Sequence, residues 1–145
     1  MTPAAPSGGD PKPGSPGPPR PGIRALPGAF GIHRLPPDHT LPEELAREAP
    51  VWVGRTADEL SVVCRERPEL KGWGEVSAGW RVIQVEGPLD FAIVGLMADM
   101  TAALAAAGIS VFALSTFDTD HVLVRAERLD EAMERLHAAG FPPAG

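Results

Sequence analysis

The order of strand and helix patterns in residues 80–140 constrains the fold of this chain more than any other feature. Residues 80–86 (WRVIQVE) alternate between two faces, as a β-strand does, and Gly87-Pro88 ends the pattern. An alanine-rich segment follows and ends at Gly108, a residue type common just past a helix. Its large apolar residues recur at helical spacing. They are Ile93, Met97, Met100 and Leu104.

Residues 108–124 add two strands to this pattern. An apolar strand enters the polar turn STFDTD, at 115–120, and a second apolar strand leaves it. An amphipathic helix follows, with Leu129, Met133 and Leu136 on one face. The order strand, helix, strand, strand, helix is nearly all of a ferredoxin-like βαββαβ unit, whose last strand is reduced here to Phe141-Pro142. The sequence therefore predicts an α+β fold.

A shorter copy of the same order precedes this unit. Strand patterns occupy residues 30–35, 51–56 and 60–65, and one or two helical turns occupy residues 41–48. Each unit alone would leave a sheet edge open and a small core. We therefore expect two lobes that complete one another by sheet-to-sheet or face-to-face packing. The expected boundaries are 28–70 for the first lobe, 71–79 for a connector and 80–145 for the second lobe.

Proline dominates the N-terminal segment. The first 27 residues hold nine of the 17 prolines, and almost no large apolar side chain occurs before Ile23. Such a segment cannot bury enough surface to offset its ordering entropy. We expect residues 1–27 to form a disordered, partly polyproline-II tail, either simply solvated or docked on an SH3-like module.

Charge and motif content exclude several function classes. The chain has a formal net charge of −6, to which the first 27 residues contribute +2, so the remainder carries −8. This balance argues against nucleic-acid or anionic-membrane binding. No apolar stretch reaches the roughly 18 residues of a membrane span, and no secretion signal is evident. We expect a cytoplasmic protein.

Catalytic chemistry has no support in the sequence. The single cysteine, Cys64, excludes an intramolecular disulfide and lies in an apolar run, as a buried thiol would. The four histidines show no metal-ligand spacing. No nucleophile–base pair or glycine-rich phosphate loop occurs. We therefore expect no enzyme, no metal and no cofactor.

Three segments carry a resemblance to a known family. They are VWVGRTADELSVVC (51–64), GPLDF (87–91) and STFDTDHVLV (115–124). From about residue 28 to residue 140 the chain resembles the ACT-domain superfamily, and specifically bacterial tandem ACT proteins related to CASTOR-type arginine sensors. The resemblance implies a ferredoxin-like ACT fold with two ACT-like lobes in tandem. It also implies a regulatory sensor that holds an amino acid between the lobes.

The candidate ligand site follows from what an amino acid presents. Its carboxylate needs donors, which the unpaired amides of Gly95, Leu96 and Met97 supply at a helix start. Its ammonium needs an anion, which Asp120 supplies. Thr116 adds a hydroxyl and Phe117 a wall. The resemblance implies ligand contacts at these positions, and less firmly at two residues of the facing lobe. The latter are Ser61 and Val62.

The sequence leaves alternatives open at these residues. Asp120 could cap its own turn, and Gly95 could serve only helix–sheet packing. The arginine sensors have an acidic residue just before this glycine, where Ile93 and Val94 stand here. Arginine specificity is therefore not carried over, and a smaller or apolar amino acid is equally consistent. The alternative function is a ligand-free interaction or dimerisation module that binds itself or another protein.

Overall fold

The computed structural model describes residues 20–90 and 93–145. The described residues form a single antiparallel sheet with helices on one face. The helices are α1 (Glu43–Ala46), α2 (Leu96–Ala106) and α3 (Leu129–Ala138), and two short 3-10 turns occupy Pro68–Leu70 and Ala126–Arg128. The strands are β1 (Ile23–Ala25), β2 (Phe30–Leu35), β3 (Trp52–Arg55), β4 (Leu60–Arg65), β5 (Glu75–Val85), β6 (Val111–Ser115) and β7 (Asp120–Arg125).

One long strand joins the two halves of the sheet. The strand order is β3-β4-β2-β5-β7-β6, and β1 pairs with β5 beyond the end of β2. The first half of β5 pairs with β2 and the second half with β1 and β7. We call the part from β2 to the first half of β5 the first lobe, and the remainder the second lobe. The predicted α+β, ferredoxin-like class is confirmed.

The expected connector 71–79 is partly wrong, because residues 75–79 are the first half of β5. The glycines and tryptophans of this region suggested a loop. The structure instead pairs Val76 with His33 and Ser77 with Ile32. Ladder hydrogen bonds to β2 override the weak strand propensity of the local sequence. The first lobe thereby obtains its last strand.

The expected tail 1–27 is also wrong at its C-terminal end. Residues 1–19 lie outside the described residues, but Ile23–Ala25 form β1, and Ile23 is 1% exposed. β1 occupies the edge position that the missing last strand of the second lobe would take. Ile23 donates its N–H to the Pro142 carbonyl at 2.8 Å, and the Ala144 N–H donates to Ile23 at 2.9 Å. Pro142 and Pro143 have no N–H to donate to a ladder. The C-terminal segment therefore contacts this edge of the sheet only through its bonds to β1.

Helices cover the outer face of the sheet. In the second lobe α2 and α3 pack on β5 and β7, and in the first lobe α1 covers part of β2 and β4. The fully buried side chains between these two helices and the sheet include Ile83, Met100, Leu104, Leu136 and Phe141.

The sheet is rolled around an inner core. Trp52 of β3 and His121 of β7 have ring centroids 5.0 Å apart, although three strands separate β3 from β7. In a flat sheet these strands would lie about 19 Å apart. The inner faces of the two lobes therefore pack against each other, so the lobes join both edge to edge and face to face. The buried residues of this inner core are Phe30, Val63, Trp80, Val82 and Leu123.

Ile23→Ala tests the role of β1. We expect the free energy of unfolding to fall by about 2–5 kcal/mol, because the substitution empties a fully buried position. Val53→Ala is the matched control, since Val53 is 47% exposed on β3 and should change stability by less than about 0.5 kcal/mol. Urea unfolding measures both. Equal stabilities of Ile23→Ala and the wild type would contradict a structural role for β1.

Candidate functional site

A cavity of about 270 Å³ lies at one end of the second lobe. Its walls come from the turn between β6 and β7, the segment between β5 and α2, and the start of α2. The lining residues are Leu89, Asp90, Ile93, Leu96, Ser115, Thr116, Phe117, Asp118, Thr119 and Asp120.

Three hydrogen bonds fix the turn: one closes it, one joins it to the end of β5, and one joins it to the segment that follows β5. Thr116 donates its N–H to the Thr119 carbonyl at 2.9 Å, which closes the turn. The Thr119 hydroxyl donates to the Val85 carbonyl at 2.6 Å and is buried. Leu89 donates its N–H to the Asp118 carbonyl at 2.7 Å. These bonds fix the distance between the two walls of the cavity.

The lining is acidic. It includes the carboxylates of Asp90, Asp118 and Asp120, and none of the described lining residues is a lysine, arginine or histidine. Asp120 is half-buried and accepts a hydrogen bond from the Ser115 hydroxyl at 2.7 Å. Carboxylates close together in a partly enclosed space produce a negative potential. The cavity therefore favours a cationic group of a ligand.

Among the described residues, no acceptor pairs with the first amides of α2. Gly95 is the N-cap, has φ of +82°, and provides no side-chain cap. The first amides of a helix have no intrahelical acceptor, so those of Leu96 and Met97 are available to an anion. The left-handed backbone explains the glycine, since a residue with a Cβ is strained there by about 1–2 kcal/mol. A Cβ at Gly95 would meet no atom within 4 Å.

The structure brings four of the eight predicted site residues together. Leu96, Thr116, Phe117 and Asp120 line the cavity, and Phe117 is 81% exposed at its mouth. Gly95 and Met97 flank the lining at the start of α2, and Met97 packs partly against the core.

The two residues predicted on the facing lobe are elsewhere. Ser61 and Val62 lie in β4 of the first lobe and do not line this cavity. Val62 is fully buried in the core with α1, so it cannot contact a ligand. The described cavity wall belongs entirely to the second lobe, whereas the sequence predicted a site between the lobes.

Sequence reasoning missed six lining residues. The segment before α2 supplies apolar contacts that resemble ordinary core residues in sequence. All six residues of the turn at 115–120 line the cavity, so the remaining three could have been included as members of the turn that the sequence singled out. The missed residues are Leu89, Asp90, Ile93, Ser115, Asp118 and Thr119.

The first lobe contains a turn like that between β6 and β7, but no acidic residue follows it. Thr56 donates its N–H to Glu59 at 2.9 Å, as Thr116 does to Thr119 at 2.9 Å, and both threonine hydroxyls accept the N–H three residues later. The position of Asp120 is taken by Leu60, which is fully buried beneath α1. The acidic site is therefore built in the second lobe.

Comparisons with known proteins identify the second lobe. Residues 75–138 match the family model of an ACT domain, and residues 28–68 match a second family model that describes an N-terminal domain. Protein Atu0741 from Agrobacterium tumefaciens is 34% identical, with a TM-score of 0.74 over 86% of this chain and 92% of its own. This chain belongs to the same family as Atu0741 and contains an ACT domain. No curated protein matches the chain.

Other solved structures share the fold. VC0802 from Vibrio cholerae, a protein of unknown function, is 20% identical, with a TM-score of 0.66 over 82% of this chain and 89% of its own. The regulatory subunit of aspartate kinase from Thermus thermophilus, in its ligand-free form, is 13% identical, with a TM-score of 0.56 over 83% of this chain and 98% of its own. Both likenesses show a shared fold.

Two further features of the described residues are the placement of potential metal ligands and the environment of the single thiol. Residues 20–90 and 93–145 contain no group of three or more His, Cys, Asp or Glu arranged to hold a metal ion. Burial raises the pKa of the Cys64 thiol to about 11, so the reactive thiolate is scarce at neutral pH. No helix within these same ranges is long and apolar enough to cross a bilayer.

His121 lies behind the site, on the inner face of the ACT domain. It follows Asp120 in β7, so the two side chains point to opposite faces of the sheet. Its ring packs edge-on against Trp52 of the first lobe, and its Nε2 lies 3.2 Å from the Gln84 amide nitrogen. Burial lowers the pKa of His121, and the nearby Asp120 charge opposes this only in part.

Acidification tests this environment. The pKa of His121 is lower in the folded protein than in the unfolded chain, where it is about 6.5. The unfolded state therefore binds more protons as the pH falls, and stability is lost below about pH 6.5. We expect His121→Asn to lose less unfolding free energy than the wild type between about pH 8 and pH 5. Urea unfolding across this range measures it, and parallel curves would contradict the assignment.

Proposed function

We propose that this protein is a regulatory module that binds an amino acid in the cavity of its ACT domain. The observation that carries the proposal is the meeting of three carboxylates, the uncapped start of α2 and an apolar wall around about 270 Å³. The fold shared with the regulatory subunit of aspartate kinase supports a regulatory role. The carboxylates suit the ammonium of an amino acid, the amides at the start of α2 suit its carboxylate, and the apolar wall suits its side chain.

The proposed binding mode assigns each part of the ligand. The ammonium bonds to Asp120, which Ser115 orients through its hydroxyl. The carboxylate accepts from the free amides of Leu96 and Met97, where the helix dipole adds positive potential. The ligand side chain lies on Leu89 and Ile93.

The charge of the lining limits the class of amino acid. One carboxylate suffices for an ammonium, and the lining contains two further acidic residues, Asp90 and Asp118. We therefore propose that neutral and basic amino acids bind and that aspartate and glutamate do not. The relation to arginine sensors suggested by the sequence is compatible with this charge, although the extra acidic residue of those sensors is replaced here by Ile93 and Val94.

A thermal-shift panel with Asp120→Asn tests the site. We expect one or a few neutral or basic amino acids to raise the Tm of the wild type. A ligand at a hundredfold excess over Kd adds about 2.7 kcal/mol to stability. Asp120→Asn should lose this shift, because it removes the charge that pairs with the ammonium.

Asp58→Asn is the matched control. Asp58 occupies the same position of the equivalent turn in the first lobe as Asp118 does in the second, and it lies outside the cavity. It should keep the shift of the wild type. A shift that survives in Asp120→Asn would place the ligand elsewhere, and no shift for any amino acid would overturn the proposed function.

A second candidate function, a dimerisation module, is favoured by the apolar surface beside the cavity. Val94 is 93% exposed, Phe117 81% and Ile93 46%. Large apolar side chains grouped at a surface mark interaction sites more often than isolated ones do. A second copy of the chain that covered them would also bury the cavity mouth.

Val94→Asp tests the dimer. We expect sedimentation velocity to show a dimer for the wild type at micromolar concentration and a monomer for Val94→Asp, since a charge buried without a partner opposes association. Val53→Asp is the control, because Val53 is exposed on β3 in the other lobe. A monomeric wild type would exclude this function. A monomer only in Val53→Asp would move the interface to the β3 edge.

A further inference from the structure

The first lobe has no counterpart of α3 on its outer face. In the second lobe the chain after β7 forms α3, which is ten residues long. The corresponding chain after β4 forms only the 3-10 turn Pro68–Leu70 before β5 begins. A cavity of about 510 Å³ lies between this turn and the sheet. Its lining residues are Gly31, His33, Glu66, Arg67, Pro68, Leu70, Lys71, Gly72, Val76 and Ala78.

A buried histidine has an unused ring nitrogen at the floor of this cavity. His33 is 2% exposed, and its Nδ1 lies 2.9 Å from the Trp73 carbonyl oxygen. A carbonyl only accepts, so Nδ1 carries the proton of this bond and Nε2 of the neutral ring is an acceptor. Within the described residues Nε2 has no hydrogen-bond partner. Nε2 is therefore open to a donor that enters the cavity.

Nε2 is directed over a glycine that also lines the cavity. A Cβ on Gly31 would lie 3.2 Å from Nε2 and 3.6 Å from Cγ1 of Val76. The absence of a side chain at Gly31 therefore leaves open the space in front of Nε2. A ligand that reaches this floor meets an acceptor and needs a donor, such as a hydroxyl or an amide N–H.

The rest of the lining consists of an apolar wall and a cationic rim at the mouth of the cavity. Leu70 and Val76 supply apolar surface. Among the charged side chains, Glu66 accepts the Gly79 N–H at 2.6 Å and Arg67 pairs with Glu48. Lys71 is exposed and makes no ion pair with any described residue. Its ammonium is therefore available to an anion at the mouth.

We propose that this cavity is a second ligand site, which binds a small organic acid with an apolar body and a hydroxyl or amide donor. The donor bonds to His33 Nε2 at the buried end, and the carboxylate pairs with Lys71 at the exposed end. The volume falls in the range of about 300–1,000 Å³ typical of small-molecule sites. The site is independent of the proposed amino-acid site, whose lining is acidic and lies in the other lobe.

A matched pair of probes tests the site on the full-length protein. The probes are 6-hydroxyhexanoate, which has the donor, and hexanoate, which lacks it. The readout is the ¹⁵N resonance of His33 Nε2, which responds directly to a hydrogen bond at that atom. We expect a saturable shift with 6-hydroxyhexanoate and an affinity for hexanoate about fivefold weaker or more, because hexanoate leaves Nε2 unpaired.

Two variants locate the probe within the cavity. Gly31→Ala places a methyl group in front of Nε2 and should abolish the His33 shift. Lys71→Ala should weaken 6-hydroxyhexanoate binding about two- to fivefold, as expected for one exposed ion pair. Both variants should keep the amino-acid thermal shift of the other lobe, so failure of either site can be recognised separately.

Three results would overturn the proposal. The first is an unchanged Nε2 resonance in the wild type at about 20 mM 6-hydroxyhexanoate, which would exclude even a weak, millimolar site. The second is equal affinity for the two probes. The third is a Gly31→Ala protein that folds and binds as the wild type does. Should Gly31→Ala fail to fold, the wild-type comparison of the two probes decides by itself.

Discussion

The pairing of β5 with strands on both sides is the constraint on which the rest of the structure depends. This 11-residue strand gives its first half to β2 and its second half to β1 and β7. Two small units that would each expose a sheet edge thereby share one sheet. The sheet is curved so that Trp52 contacts His121, and residues of both halves form the inner core. A lobe of this size buries only a small core by itself, so packing against the other lobe adds much of its buried apolar area.

The same rolled sheet connects the acidic cavity with the lobe interface. Asp120 and His121 are neighbours in β7 and project to opposite faces. Asp120 lines the cavity, while His121 packs on Trp52 of the first lobe. The charge of Asp120 raises the pKa of the His121 ring, in opposition to the larger effect of burial. The cavity and the lobe interface therefore share neighbouring residues of one strand.

The two lobes use one turn for different purposes. The threonine-closed turn is the same in both, but the residue after it is Leu60 in one lobe and Asp120 in the other. Leu60 extends the core beneath α1, and Asp120 leaves room for a polar cavity. The first lobe, in which Leu60 follows the turn, also has no counterpart of α3. Its cavity lies instead above His33. The two lobes therefore share a turn geometry but differ in the chemistry of their surfaces.

The sequence alone determined what depends on local periodicity and residue type. The strand pattern of residues 80–86, the alanine-rich helix and the turn at 115–120 follow from side-chain spacing, and Leu96, Thr116, Phe117 and Asp120 do meet at one cavity. The tertiary structure decided which edges pair, because ladder hydrogen bonds form between segments far apart in the chain. The sequence could not place Ile23 beside Val85, and it put Val62 at a site from which core packing excludes it.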